Sequence, residues 1–343
     1  MKQIHIKVNE LLHNIGKENI TILPVFIPHY GCIHECIFCN QKKITGKNDV
    51  SHLEQIDKYI SDYLKNIKDK SNIQIAFFGG TFTAININSQ IKLLEIANKY
   101  IKNGLVKSIR ISTRPDNIDV NNLKILKKYN VEVIELGVQS MDNKVLDLNK
   151  RGHNNLDVIR ASKLIKMFNI KLGFQIMIGM YGANKQNEIN TMKSLLKLKA
   201  EYLRIYPVYV LDGSLLYKLY KSSTYNPLTL EEAVERSYNV VKLCLNSNIK
   251  IIRLGLQSTD EITSNNVEVA GPVCDNFAEH VYSKIVLDEI IKSINLIENI
   301  KELDEIIEII VPEKYISITV GPKRCNIKYI KNKYNINMKV KGE

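Results

Sequence analysis

The chain has 343 residues, 45% hydrophobic and 24% charged, a balance that excludes wholesale disorder, a collagen-like chain and a disulfide scaffold. No apolar run reaches the roughly 18 residues needed to cross a bilayer. Residues 1–15 carry His5, Lys7, Glu10 and His13 where a secretory leader needs an unbroken apolar stretch, so the expectation is a cytoplasmic protein with no membrane partner. Lys and Arg exceed Asp and Glu by 48 to 36, giving +12. That surplus suits an anionic partner, and a compositional bias toward Lys, Ile and Asn would supply it equally well.

Short apolar runs alternate with amphipathic stretches along most of the chain. Residues 20–27 read as a strand, followed by a cysteine-bearing loop and a helix near 53–67. β-Branched and aromatic residues at 73–78 give a second strand, then Gly-Gly and a helix near 91–101. The third strand is 106–112 with a helix at 120–129, and the fourth is 131–136 with helices at 143–148 and 156–168. The fifth, 171–178, precedes a helix near 186–198; the sixth, 202–206, precedes a polar loop and a helix near 230–245.

Six strand–helix units in strict alternation predict a parallel sheet with right-handed crossovers. Six is too few for a closed eight-unit barrel, so a partial barrel and an open doubly wound sheet both fit. Either gathers chemistry in the loops that follow the strands. After 249–254 the alternation weakens into a polar loop at 258–266, a helix at 277–297 and a strand at 305–311. The expected organisation is an N-terminal extension over 1–19, a core over 20–249 and a smaller C-terminal α+β domain over 250–343.

Three of the six cysteines, Cys32, Cys36 and Cys39, fall in a C-x3-C-x2-C cluster. In a cytosolic chain such a cluster argues for metal rather than disulfides. Three thiolates can hold three irons of a cubane and leave the fourth open to a small ligand. Zinc is the rival, since Cys3His is a familiar structural set and His29 and His34 lie close. A structural zinc loop has no need of the further motifs. Gly79-Gly80-Thr81 directly follows the second strand, where glycines let backbone approach a ligand. Gln139, after the fourth strand, can present an amide to a ribose or carboxylate, and Arg151 can bind a carboxylate bidentately. The plain alternatives are a turn, a loop-satisfying amide and a surface charge. Cys244, Cys274 and Cys325 are scattered and read as buried or neutral thiols.

These motifs resemble the radical S-adenosylmethionine superfamily, whose CxxxCxφC signature has an aromatic before its last cysteine, here Phe38. The likeness runs from about residue 20 to 245. It implies a partial (β/α)6 barrel and a [4Fe-4S] cluster on Cys32, Cys36 and Cys39. The unique iron would bind S-adenosylmethionine, whose reductive cleavage gives a 5′-deoxyadenosyl radical. Phe38, Gly79, Gly80 and Thr81 would border the methionine end, and Gln139 and Arg151 would hold polar groups of the cofactor. A reductant such as flavodoxin or ferredoxin is the implied electron donor.

Two branches are similar. Gln139 and Arg151 match the oxygen-independent coproporphyrinogen III oxidases. Ser112-Thr113-Arg114-Pro115-Asp116, residues 135–140 and Ile205-Tyr206-Pro207 through Gly213 look more like the catalytic subunit of elongator, which modifies wobble uridine of tRNA. Ser112 stands where those relatives carry an acid, and Gln175 where the porphyrin branch has an Asp for ribose. The length leaves no room for elongator's acetyltransferase domain, so acetyl-coenzyme A chemistry is not carried over. The expected function is radical modification of RNA, tRNA foremost. A radical enzyme acting on a tetrapyrrole or other small molecule, and a non-catalytic metal-stabilised RNA binder, are the alternatives.

The tail adds a separate clue. Val320, Ile327 and Ile330 suit a helix behind a tight loop, and Ile336, Met338 and Val340 alternate as a strand. This looks like the helix–loop–helix–strand of a KH RNA-binding module, whose GXXG loop clamps a nucleic-acid backbone. Gly321 fits its first glycine, Lys323 lies within the loop, and Arg324 replaces the second glycine. The other reading is a small α/β cap with solvated lysines.

Overall fold

A computed structural model describes residues 2–15, 20–27, 30–32, 35–40, 53–67, 72–256, 269–296 and 306–343. The chain runs β1 (Lys2–His5), α1 (Val8–Leu11), β2 (Thr21–Phe26), α2 (Leu53–Asn66), β3 (Ile73–Phe78), α3 (Ile87–Lys102), β4 (Ser108–Thr113), α4 (Val120–Lys128), β5 (Val131–Gln139), α5 (Asn143–Leu148), α6 (Asn155–Met167), β6 (Lys171–Ile178), α7 (Lys185–Leu196) and β7 (Tyr202–Pro207). It continues through β8 (Val210–Leu211), α8 (Leu215–Lys221), α9 (Leu230–Cys244), β9 (Lys250–Leu254), β10 (Val269–Ala270), α10 (Phe277–Asn295), β11 (Ile306–Val311), α11 (Ile316–Val320), α12 (Cys325–Tyr334) and β12 (Asn337–Gly342).

The expected partial parallel barrel is what the chain forms. Strands β2-β3-β4-β5-β6-β7-β9 make one parallel sheet in that order. Each crossover helix packs through one apolar stripe. In α6, Val158, Ala161, Ser162 and Ile165 are buried at helical spacing, and an Asn154/Asp157 capping box satisfies its first amides. The β6–α7 turn is fastened from outside the strands. Glu188 accepts from the Gly179 amide at 2.8 Å and pairs bidentately with Arg236 at 2.6 and 2.7 Å.

The sheet has one strand more than the six units read from the sequence. Lys250–Leu254, assigned there to the C-terminal domain, pairs with β7 and is the seventh strand. The next described element after it is the two-residue strand β10, so it does not read as a strand–helix unit. Residues 2–5, assigned to an N-terminal extension, form β1, which joins a second parallel sheet of order β1-β11-β12. Four residues with three polar side chains carry too little pattern to read as a strand. Helix α10 packs on α9, α11 and α12. A single apolar cluster runs from the barrel through α10 to Ile307, Ile309, Val311 and Met338 of the second sheet. The short antiparallel pair β8–β10 was not expected. The polar loop expected at 258–266 lies outside the described residues. No described helix is long and apolar enough to cross a membrane.

Candidate active site

The cysteine loop leaves β2 at the carboxyl edge of the sheet and is seated by backbone contacts. The Thr81 amide donates to the Tyr30 carbonyl at 2.9 Å. A Cβ on Gly80 would lie 2.3 Å from that carbonyl oxygen, and one on Gly31 would lie 2.3 Å from the Thr81 carbonyl. The Gly79-Gly80 turn and the cysteine loop therefore interlock main chain to main chain. Gly80→Ala is expected to destabilise the protein by about 3 kcal/mol, the upper end for overpacking against a backbone that cannot retreat. Urea unfolding midpoints of variant and wild type read this loss.

Within the loop, the Cys39 amide donates to the Cys36 carbonyl at 3.0 Å, the Ile37 amide to Asn149 at 3.3 Å, and the Leu216 amide to Ile37 at 2.7 Å. Ile37 and Phe38 are buried in a small apolar cluster with Val145, Met180, Val208 and Leu216. Phe38 thus acts as a packing anchor that sets the thiols on either side of it. The Cys32 thiol lies 3.2 Å from the buried Thr81 hydroxyl. Asn40, which sequence reasoning missed, ties the loop's far end to the Asp212 carbonyl at 3.0 Å.

Arg151 is buried and reaches the same mouth from the α5–α6 connection. Its Nη1 donates to Cys36 Sγ at 2.8 Å and its Nη2 to the Gly137 carbonyl at 2.7 Å, while its buried Nε has no partner among the described residues. Gly137 has no side chain to obstruct this. A Cβ there would meet Gln139 Nε2 at 3.1 Å and Arg151 Nη2 at 3.4 Å. Gln139 ends β5 at φ +65° beside a register shift, and its Oε1 accepts from Gln175 Nε2 at 3.5 Å. The strand was expected to stop at 136; it continues through the shift to Gln139. Gln139 and Ser140 also line a small cavity with Met177, Met180 and Asn187.

His153 packs behind Arg151, with its Nε2 3.2 Å from the Val138 carbonyl. Burial, then the charges of Arg151 and Arg114, push its pKa from 6.5 down to about 3. A histidine depressed in the folded state lends full stability above its unfolded pKa, and loses it as pH falls toward the folded value. Between about pH 6.5 and 5 this costs roughly 2 kcal/mol. His153→Gln is expected to flatten that part of the stability–pH curve, measured by urea unfolding at several pH values.

The barrel's inner face carries buried charges, unlike the apolar layers of a closed eight-stranded barrel. Glu135 on β5 is fully buried between Arg110 on β4 and Arg204 on β7. Its Oε1 accepts from Arg110 Nη1 at 2.6 Å, and its Oε2 meets Arg204 Nε at 2.6 Å. Burial pushes the Glu135 carboxyl up, but Arg204 and Arg110 outweigh that and hold it below its ordinary range. Gly173 on the intervening strand clears the way, since a Cβ there would come within 3.0 Å of Glu135 Cγ.

Among the scattered cysteines, Cys244 is buried and its thiol is pushed up to about 12 by burial. Cys274 is part-buried and Cys325 exposed. Gly321 sits at φ +80°, and Lys323 and Arg324 are exposed at φ +52° and +61°. Arg324 therefore takes the left-handed conformation that a glycine would adopt freely. The loop lies between α11 and α12 and leads to β12. Asn326, missed in the sequence, braces it by donating to Ser283 Oγ at 2.9 Å and the Thr319 carbonyl at 3.1 Å.

Among the described residues no three His, Cys, Asp or Glu side chains are gathered into a metal-holding group. The cysteines share one loop and one mouth, and His29 and His34 lie outside the described residues. Three thiols, with a buried guanidinium on one of them and its Nε unpartnered, fit an anionic iron–sulfur cluster with an anionic ligand beside it.

A curled parallel sheet with a three-cysteine loop after its first strand defines a class, and comparison with known families agrees. Residues 26–195 match the Radical SAM superfamily and residues 200–286 its C-terminal domain. The chain belongs to the radical S-adenosylmethionine superfamily: it is an enzyme of that class, with a [4Fe-4S] cluster and S-adenosylmethionine as cofactors. It is 26% identical over 256 residues to a tRNA uridine(34) acetyltransferase of Methanocaldococcus jannaschii, covering 63% of this chain and 47% of that one. An uncharacterised protein of the same organism is 33% identical over 226 residues, 62% of this chain and 68% of the other. The chain thus spans about half the length of the acetyltransferase it matches. Among solved structures, an N-terminally deleted Elp3 of Methanocaldococcus infernus superposes with a TM-score of 0.63 at 22% identity, over 80% of this chain and 64% of that one.

Proposed function

We propose that this enzyme directs its radical chemistry at RNA, with tRNA as the substrate. The similarity to tRNA uridine(34) acetyltransferases carries the reading. The net charge of +12 and the exposed Lys323, Arg324, Lys328, Lys331 and Lys333 around the α11–α12 loop support it. When bound, the cluster and S-adenosylmethionine supply a reductive cleavage that yields a hydrogen-abstracting radical. Cys32, Cys36 and Cys39 hold the cluster, and Phe38 fixes the loop that carries them. Gly79, Gly80 and Thr81 border the methionine end. Arg151 neutralises charge at Cys36 and offers its Nε to a carboxylate, while Gln139 turns an amide toward the nucleoside. Gly321, Lys323 and Arg324 meet RNA phosphates, and a one-electron donor such as flavodoxin or ferredoxin supplies the reduction.

Mass spectrometry of tRNA nucleosides from cells with and without the protein tests this reading. A modified nucleoside that disappears with the protein is the expected result. An unchanged profile, together with tRNA affinity that does not fall steeply with salt, would refute RNA as the substrate.

A further inference from the structure

We propose that Arg151 sets the reduction potential of the iron–sulfur cluster, its guanidinium stabilising the reduced state through a charged hydrogen bond to the Cys36 sulfur. The inference rests on the reading that Cys36 is a cluster ligand.

The cluster has to accept one electron before it serves the proposed chemistry. The added negative charge spreads onto the cysteine sulfurs, so a donor on one of them favours the reduced form, and a charged donor does so most. Arg151 Nη1 donates to Cys36 Sγ at 2.8 Å. Among the described residues the Cys32 sulfur instead meets the neutral Thr81 hydroxyl at 3.2 Å. A guanidinium keeps its proton at any working pH. The step is therefore electron transfer alone: one electron passes from the donor protein to the cluster, no proton moves, and no bond forms or breaks.

The arginine is fixed before the electron arrives. Its Nη2 is tied to the Gly137 carbonyl at the end of β5, and its own amide donates to the Leu146 carbonyl at 3.0 Å. It stands between two residues in the left-handed region, Lys150 at φ +50° and Gly152 at φ +69°. Lysine disfavours that conformation, so the connection is bent in spite of its sequence. The same connection grips the cysteine loop, because the Asn149 carbonyl accepts from the Ile37 amide. Asn149 is itself held by its side chain, which donates to the Val145 and Tyr181 carbonyls at 2.7 and 2.8 Å. Sulfur and guanidinium thus hang from one short piece of backbone. Arg151 is only 5% exposed, and the Phe38 ring centre lies 6.0 Å from its guanidinium carbon. Little water screens its charge from the sulfur.

Potentiometric titration of the anaerobically reconstituted holoenzyme tests this, followed by the paramagnetic resonance signal of the reduced cluster and run without S-adenosylmethionine. At the potential where the wild type is half reduced, R151Q should show a reduced-to-oxidised ratio lower by roughly tenfold, a midpoint about 59 mV more negative for a one-electron couple. R151K, which keeps the charge but loses the fork, should recover most of that difference. A midpoint in R151Q equal to or above that of the wild type would overturn the proposal. A second measurement needs no variant: wild-type protein carrying nitrogen-15 arginine should show a nitrogen hyperfine coupling to the reduced cluster, and the absence of that coupling would overturn the proposal as well. Wild-type protein that takes up no iron would sink the cluster reading itself, whereas a loaded cluster whose midpoint ignores Arg151 sinks this inference alone.

Discussion

Cys36→Ala is expected to lower the iron content of anaerobically reconstituted protein from about four per chain to near zero, as loss of one of three local ligands implies. Formation of 5′-deoxyadenosine from S-adenosylmethionine under reduction should vanish with it. Cys36 is the position to choose because Arg151 singles it out. Its thiol accepts from Arg151 Nη1, whereas among the described residues the Cys32 thiol meets the neutral Thr81 hydroxyl. Alanine there removes a ligand and leaves a buried guanidinium facing a void. Cys325→Ala, on an exposed thiol far along the chain, is the control and should keep its full iron. Full iron and undiminished cleavage in the Cys36 variant would overturn the assignment of the cluster to this loop.

Glu135→Gln is expected to cost about 3–5 kcal/mol of unfolding free energy, the range for breaking a buried ion pair from one side. The amide keeps the shape of the carboxylate but removes the negative charge that Arg110 and Arg204 share in the middle of the sheet. Guanidinium denaturation gives the number directly. R204Q should cost far less, because Glu135 keeps Arg110 as its partner. Equal losses from the two substitutions would mean that shape, rather than charge, governs this layer.

Much of this arrangement was legible in the residues. Alternating apolar runs placed β2 to β7 correctly because parallel strands buried on both sides are nearly continuous in Val, Ile and Phe. The cysteine spacing and Gly79-Gly80 were legible because local motifs keep their meaning without knowledge of the fold. Lys250–Leu254 was not, since its Lys and Arg dilute the apolar signal and its first partner residue lies 48 positions earlier, Tyr202 opposite Lys250. The Arg110–Glu135–Arg204 layer was invisible for a deeper reason. Each residue looks like an ordinary charge on an alternating strand, and only the curl of the sheet brings β4, β5 and β7 side chains to one point. Gly173 was the one available hint, a glycine inside a strand of otherwise large residues. Asn326 was missed because its four hydrogen bonds all go to residues of other elements or to helix-end carbonyls.

Strand β1 has a consequence for how the molecule is made. Gln3 bonds to Glu308, 305 positions later, and the whole strand β1 pairs with β11. During synthesis, residues 2–5 must wait, unpaired, until β11 has left the ribosome. The barrel can condense strand by strand in the meantime, because most of its neighbours are adjacent in the chain. Closure of the second sheet is then the last and slowest contact to form, and an unsatisfied β11 edge is the surface that a chaperone, or a second nascent chain, meets first.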